Sequence, residues 1–421
     1  ALYIIDQTLL PNEEVFIRLD TAEEMYEAIK ALRVRGAPAI GICAAYSLYV
    51  LARQIEADTA EDFFAKGRMC EALILASMDK DHFGQAMAAL DCGYDLLLEK
   101  PISPDARECL EIESKANALG RTVIVCHVLR YTQFYQKIHD LLREGVIGDI
   151  QSLVATENVA YWHFAHSYVR GNWHNSKTSS PMILAKCCHD MDLILWLSGK
   201  QSKAVSSFGA LTHFTKENCP EGAKERCTDG CQVDCPYNAP DFYFSRLPGW
   251  PANVLHPEPT RENILQVLKT TNYGRCVYKM DNDVVDHQTV NLLFEDDVTV
   301  TFTMNAFNKG GRFIHIMGTK GELRGAMDSS KLPITLFDFE TRETMEIPMK
   351  TGDGIINGHG GGDEGIVASW HEYLSGTYEG VSISDISTSV DNHLTVFAAE
   401  KSREEGIVVD VEAYKKTLEE D

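Results

Sequence analysis

Between about residues 67 and 150 the chain alternates at short intervals between apolar runs and amphipathic stretches, a pattern that few folds accommodate. "EALILAS", "YDLLLE" and "TVIVCHV" have the length and the Leu, Ile and Val content of buried strands. Between them, "HFGQAMAALDCG" and "SPDARECLEIESKANALG" carry apolar residues at helical spacing. Strands joined by helices of this length pair in parallel, so a parallel α/β sheet is expected here. From Gln151 the pattern changes. "QSLVATENV", "VVDHQTVNLLFE", "VTVTFTMNAF" and "ITLFDFE" alternate with period two, frame a helix at 181–198, and precede helices near 363–375 and 387–405. They predict an α+β domain on a large, open, mostly antiparallel sheet. Before residue 67 there is a hairpin signal and then a long helical stretch broken at Gly36 and Pro38, with hardly any strand. The expected organisation is therefore a helical segment at 1–66, a parallel-sheet domain at 67–150 and an α+β domain at 151–421.

Charge narrows the partners. With 62 acidic and 39 basic residues the formal net charge is -23, which repels nucleic acid and anionic membrane, so a small molecule is the expected partner. No apolar run is long enough to span a bilayer, and "ALYIIDQTLLPNEE" lacks the basic and apolar regions of a secretory signal, so a cytoplasmic protein is expected. Most of the twelve cysteines sit singly in apolar surroundings, as in "GICAAY" and "VIVCHV", and read as reduced, buried thiols. Self-association is compatible with the sequence but not specified by it.

Several residues point to chemistry. Lys100 follows the strand "YDLLLE" and is fixed by Pro101 in a turn, which puts an ammonium at the carboxyl end of a parallel strand, where open α/β sheets bind ligands. The plainer alternative is a surface lysine paired with Glu99. In "LAKCCHDMDLILW", Lys186, His189 and more loosely Asp192 share one arc of a helix, which could also be a capped or salt-bridged cluster. Arg130 and Tyr131 lie just past the strand in "VIVCHVLRY" and are candidate cofactor and substrate contacts. "YWHFAHSYVRGNWHN", with Trp162 and His163, could line a sugar site through aromatic faces, or be an ordinary mixed segment. Cys219, Cys227, Cys231 and Cys235 stand close together in a polar loop. Four thiolates could hold zinc, but intervals of seven, three and three residues are not those of paired knuckles, and loose or reversibly oxidised thiols remain the alternative. No metal is assigned.

"ALILASMDKDHFGQAMAALDCGYDLLLEKPIS", "VIVCHVLRYTQFYQKIHDLLREGVIGDI", "CCHDMDLILW" and "RFIHIMGTKGELRG" resemble successive motifs of the Gfo/Idh/MocA oxidoreductases over about residues 67–415. The resemblance implies a Rossmann domain for NAD or NADP, a C-terminal α/β domain with a large sheet, and hydride chemistry at a hydroxyl-bearing carbon of a sugar, polyol or inositol. It also implies catalytic roles for Lys100 and His189, with His189 as acid/base. Ser77, His82, Glu99, Pro101 and Arg130 would lie near the cofactor, and Tyr131, Asp192, Trp162 and His163 near the substrate. The family usually has an aspartate four residues before its histidine. Here Ala185 stands there, so either Lys186 supplies the polar contact or the proton relay differs. The family's hydrolytic branch, glycosidases that use tightly held NAD, and a catalytically dead sugar-binding or oligomerisation module are the alternative readings.

The front of the chain resembles a different family. "LYIIDQTLLPNEE" followed by "VRGAPAIGICAAYSLYV" is similar to the start of methylthioribose-1-phosphate isomerase, whose phosphate-contact segment would be Arg35, Gly36 and Ala37 here. The isomerase's catalytic cysteine and aspartate have no counterpart in the sequence, so that activity is not expected. A dinucleotide fold opens with a strand, a glycine-rich turn and a helix N-terminus, with an acidic residue about 20 positions on. Nothing before residue 67 matches that order, and "GHGGGDEG" at 358–365 reads as a loop and helix entry in the last domain. Weak binding of NAD or NADP is the expectation.

Overall fold

The computed structural model describes residues 1–10, 13–34, 37–327, 334–348 and 359–420. The chain divides into two compact units, Ala1–Cys70 and Glu71–Asp421.

In the first unit, strands β1 (Leu2–Ile5) and β2 (Phe16–Leu19) form an antiparallel hairpin. Helices follow at Ala22–Lys30, Ala37–Ala52 and Ala60–Phe64. The first is fixed by a capping box, in which Thr21 accepts from the Glu24 amide and the Glu24 carboxylate accepts from the Thr21 amide. Leu19, Met25 and Ala28 are its small core. Arg35 and Gly36 lie outside the described residues, and Ala37 opens the second helix.

The second unit starts with a three-stranded parallel sheet in the order β3 (Ala72–Leu75), β4 (Asp95–Leu98), β5 (Val123–Val125). Crossover helices His82–Asp91 and Ala106–Leu119 join the strands, and the second ends on Gly120 in the left-handed conformation (φ 59°) that stops a helix most cheaply. Residues 384 and 385 close the free side of β5. The Val125 amide donates to the Ser384 carbonyl at 2.8 Å, and the Ser384 hydroxyl donates to the Val125 carbonyl at 2.6 Å.

A nine-stranded sheet completes the unit. Its strands are β6 (Ile150–Asn158), β7 (Ser202–Ala210), β8 (His287–Phe294), β9 (Thr299–Asn305), β10 (Gly311–Gly318), β11 (Gly321–Ala326), β12 (Ile334–Asp338), β13 (Thr344–Ile347) and β14 (Val409–Asp410). They run in the order β13-β12-β11-β10-β6-β9-β8-β7-β14, and only β6 and β9 pair in parallel. The Rossmann-like sheet followed by a large, mostly antiparallel sheet is the architecture the periodicities imply. On β6 the alternation buries Leu153, Ala155 and Glu157 on one face. The principal core lies between this face and the helices, centred on Phe164, Met191, Leu193, Phe294 and Phe302.

One expected helix is two. Met182–Ala185 and Cys188–Ser198 are separate, with Lys186 at φ -112° between them. The Ala185 carbonyl, which a continuous helix would offer to the amide of residue 189, instead accepts from the Lys100 ammonium at 2.9 Å.

Helix Ile386–Glu405 carries a buried histidine whose charge state is fixed by its neighbours. His393 Nε2 accepts from the Ile102 amide at 3.1 Å while Nδ1 donates to the Ser389 carbonyl at 2.7 Å, the pattern of a neutral ring. Burial lowers its pKa to about 3, and the neighbouring His127 acts in the same direction. The folded state therefore resists a proton that the unfolded chain accepts near pH 6.5. Stability should be fully present above that pH and fall as pH drops from about 6.5 toward 3, by about 1.4 kcal/mol per pH unit for this group. Denaturant titrations at pH 7.0 and 5.5 should show this fall, and an unchanged midpoint would exclude a neutral His393.

Candidate active site

A cavity of about 1100 Å³ opens in the second unit where the carboxyl ends of β4 and β5 face the start of the large sheet. Lys100 reaches it from the turn after β4. Glu99 is beside it, and the Lys100–Pro101 peptide bond is cis. His82 braces this turn from behind. It is buried, with Nδ1 2.8 Å from the Pro101 carbonyl and Nε2 3.2 Å from the Ser77 carbonyl, and it is not on the cavity wall.

Lys186, in the break between the two helices, and His189, in the first turn of the second, line the same cavity as Lys100. Sequence reasoning missed the network beneath them. Glu157 on β6 stands directly across from Arg312 on β10, and they pair at 2.6 Å. Arg312 also holds Asp190 at 2.9 Å, and Lys186 lies 3.8 Å from Glu157. Burial lowers the pKa of the Lys186 ammonium, and Glu157 opposes this. Burial likewise raises the Asp190 carboxyl to about 6 against the pull of Arg312. The floor of the cavity thus holds Lys100, Lys186, His189, Arg312 and Glu157, with Asp190 behind Arg312, and burial displaces the proton affinities of Lys186 and Asp190 from those in water.

The opposite wall is aromatic. Trp162 stacks on His163 with ring centroids 5.7 Å apart, and Trp250 meets both edge-on at 5.6 and 5.0 Å. The Arg246 guanidinium lies 4.3 Å above the Trp162 ring. His166 stacks on Tyr273 and its Nδ1 is 2.6 Å from the Tyr243 hydroxyl. Burial lowers the pKa of His163 to about 2 and of His166 to about 4, so both rings are neutral faces at pH 7. Trp250 and Tyr273 come from the long excursion between β7 and β8, where the sequence drew attention to the cysteines but to neither of these aromatics.

The remaining expected contacts lie elsewhere. Arg130 and Asp192 are both buried and hold each other through two bonds, at 2.7 and 2.6 Å, so they bind one another instead of lining the cavity. Arg130 also donates to the Ile383 carbonyl at 3.2 Å. Tyr131 packs with Ile366 and Trp370 in a small cluster behind β5. Ser77 is exposed and donates to Gln85 at 2.8 Å. Pro101 is buried in the turn.

Lys100, Glu99, Cys126 and Val128 at the strand ends could meet the nicotinamide end of a dinucleotide. The pyrophosphate end does not fit as well. Among the described residues no strand lies beyond β3 in the parallel sheet, the side on which a dinucleotide fold places the strand, glycine-rich turn and helix N-terminus that cradle it. Among the described residues no three His, Cys, Asp or Glu side chains form a group able to hold a metal ion, and no helix is long and apolar enough to cross a membrane.

Comparison with known proteins agrees with this anatomy. Residues 139–411 match the C-terminal alpha/beta domain of an oxidoreductase family, and residues 21–127 match that family's NAD-binding Rossmann fold. The latter match begins inside the first unit, where the described residues from 21 to 70 hold helices and no strand. Bacillus subtilis oxidoreductase YteT is 24% identical over 319 residues, 70% of each chain. The aldose-aldose oxidoreductase of Caulobacter crescentus, solved with glycerol, superposes with a TM-score of 0.55 at 12% identity, covering 83% of this chain and 82% of that one. Methylthioribose-1-phosphate isomerase of Symbiobacterium thermophilum is 44% identical over 119 residues, 28% of this chain and only 32% of the isomerase. Since the C-terminal match alone spans more than half of the sequence, the chain belongs to the Gfo/Idh/MocA oxidoreductase family.

Proposed function

We propose that this chain acts on a hydroxyl-bearing carbon of a sugar, polyol or inositol, as an NAD- or NADP-dependent dehydrogenase whose hold on the cofactor is weak. The observation that carries the reading is the convergence of Lys100, Lys186 and His189 on one cavity faced by Trp162, His163 and Trp250. The aromatic faces suit the C–H face of a sugar ring, while the cationic floor suits its hydroxyls. The nicotinamide ring, when bound, supplies the hydride acceptor. Lys100 hydrogen-bonds the reacting hydroxyl, His189 takes or returns its proton, and Lys186 with Glu157 fixes a neighbouring hydroxyl.

The test is an oxidation assay over a panel of aldoses, polyols and inositols at millimolar NAD and NADP. Lys100→Met should lower kcat/KM by about 10²-fold or more, the span of a lost general acid–base group, with circular dichroism unchanged. Full activity in that variant would remove Lys100 from the chemistry. The poor fit at the pyrophosphate end favours one second reading, a sugar-binding module without turnover. A sugar-induced rise in melting temperature with no response to cofactor and no oxidation would select it.

The family's NAD-using glycosidases are the reading to distinguish within the enzyme class, and release of free sugar from glycosides without net cofactor reduction would identify that chemistry. Arg35, Gly36 and Ala37 are proposed to retain no isomerase turnover.

A further inference from the structure

The excursion between β7 and β8 carries Cys219, Cys227, Cys231 and Cys235, and Cys276 joins them from its far end. All five are free and half-buried. Cys227, Cys231, Cys235 and Cys276 line one void of about 20 Å³, room for a single water-sized particle. Burial raises the pKa of Cys235, and of Cys276 to about 11. Of the sulfurs around them, Cys227 acts most strongly on Cys235, and Cys219 on Cys276. Cys227 and Cys235 thus share both the void and the stronger mutual influence, Cys219 acts on Cys276, and Cys231 is the fifth thiol.

Beside the void lies a buried cation. Arg170, 3% exposed, donates to the Arg275 carbonyl at 2.8 Å, to the Tyr237 carbonyl at 2.7 Å and to Cys227 Sγ at 3.7 Å. It forms no carboxylate ion pair among the described residues. The acidic groups it faces are the thiols of Cys227, Cys235 and Cys276, together with the Tyr243 phenol, whose pKa burial pushes far up. A guanidinium withdrawn from water is strongly disfavoured without an anion. Here the side chain hydrogen-bonded to it is that of Cys227, whose sulfur is the nucleophilic atom of cysteine chemistry.

We propose that this cluster is an oxidation site for hydroperoxides, in which Cys227, backed by Arg170, is the attacking thiol and Cys235 the resolving one. The Cys227 sulfur attacks one peroxide oxygen, the O–O bond breaks, and the alcohol departs with the thiol proton, leaving a sulfenic acid. Cys235 sulfur then displaces the hydroxyl, which leaves as water with the Cys235 proton as the S–S bond forms. Two thiols lose two electrons, and these reduce ROOH to ROH and water. Arg170 ends the helical segment Ala165–Arg170 that carries His166, and Cys227 packs in one small core with Tyr243 and Tyr273, so the disulfide forms in the loop behind the aromatic wall.

The test treats the reduced full chain with a small excess of cumene hydroperoxide and maps cysteines by peptide mass spectrometry. The expected result is a Cys227–Cys235 linked peptide and the loss of two titratable thiols. Cys235→Ser should stop the reaction at a sulfenic acid on Cys227 that dimedone traps. Arg170→Met should slow oxidation of Cys227 by about tenfold, the order expected when the cation that donates to the attacking sulfur is removed. If Arg170→Met fails to fold, the Cys235→Ser trapping decides alone. Reaction of Cys227 no faster than that of the exposed Cys70, a different linked pair, or one equivalent of zinc bound to the native protein and shielding Cys227 would each overturn the proposal.

Discussion

Titrated calorimetrically with NAD or NADP, this chain should bind in the millimolar range or more weakly, while a version with a grafted strand, glycine-rich turn and helix ahead of β3 should bind at micromolar concentrations. A dinucleotide gains much of its affinity from backbone amides and a helix N-terminus at the pyrophosphate and from an acidic side chain at the ribose. Among the described residues the parallel sheet is β3-β4-β5, with no strand beyond β3. Three charge-assisted hydrogen bonds at about 1.5 to 3 kcal/mol each correspond to a loss of at least about three decades in affinity. Lys100 and its neighbours can still meet the nicotinamide end, so the weak binding that remains should be lost when Lys100 is changed. Micromolar binding by the unaltered chain would show that another segment holds the phosphates.

The second large effect concerns the Arg130–Asp192 pair. Asp192→Asn should destabilise the second unit by about 3 to 5 kcal/mol, because it leaves the guanidinium buried against a neutral amide. Burial raises the pKa of the Asp192 carboxyl, and Arg130 opposes this without cancelling it. Replacing both residues together, as Arg130→Met with Asp192→Leu, should recover most of the loss, since apolar isosteres of buried pairs are often neutral or stabilising. Guanidinium denaturation of the two variants gives the comparison. A cost below about 1 kcal/mol for Asp192→Asn would mean that Arg130 has another anion to turn to, as a contact to a bound ligand would require.

What the sequence revealed and what it hid follow from the range of the interactions. The three parallel strands were legible because their apolar runs and crossover helices are local patterns, and Lys100 was legible because a strand end followed by proline is local too. The strands at 150–158 and 287–305 share one sheet, as their alternation suggested. The bond between Arg130 and Asp192 joins residues 62 positions apart, and nothing in either neighbourhood announces the other. The helix break at Lys186 was hidden for the same reason. "MILAKCCHDMDLILW" has no glycine or proline, and the competing partner for its carbonyl is a lysine on another element. Glu157 could have been found. It falls in phase with Leu153 and Ala155 on the buried face of β6, and a carboxylate in that phase demands a cation, here Arg312 directly opposite.

The closure of β5 by residues 384 and 385 bears on how the chain is made. The hydroxyl bond from Ser384 to Val125 spans 259 positions, so a ribosome must finish nearly the whole sequence before "VIV" gains its last neighbour. Until then the nascent protein carries an apolar strand with one open edge, the kind of surface that recruits other chains. Synthesis halted before residue 384 should therefore release products that associate with chaperones or precipitate, whereas chains only a short stretch longer should be recovered as monodisperse protein.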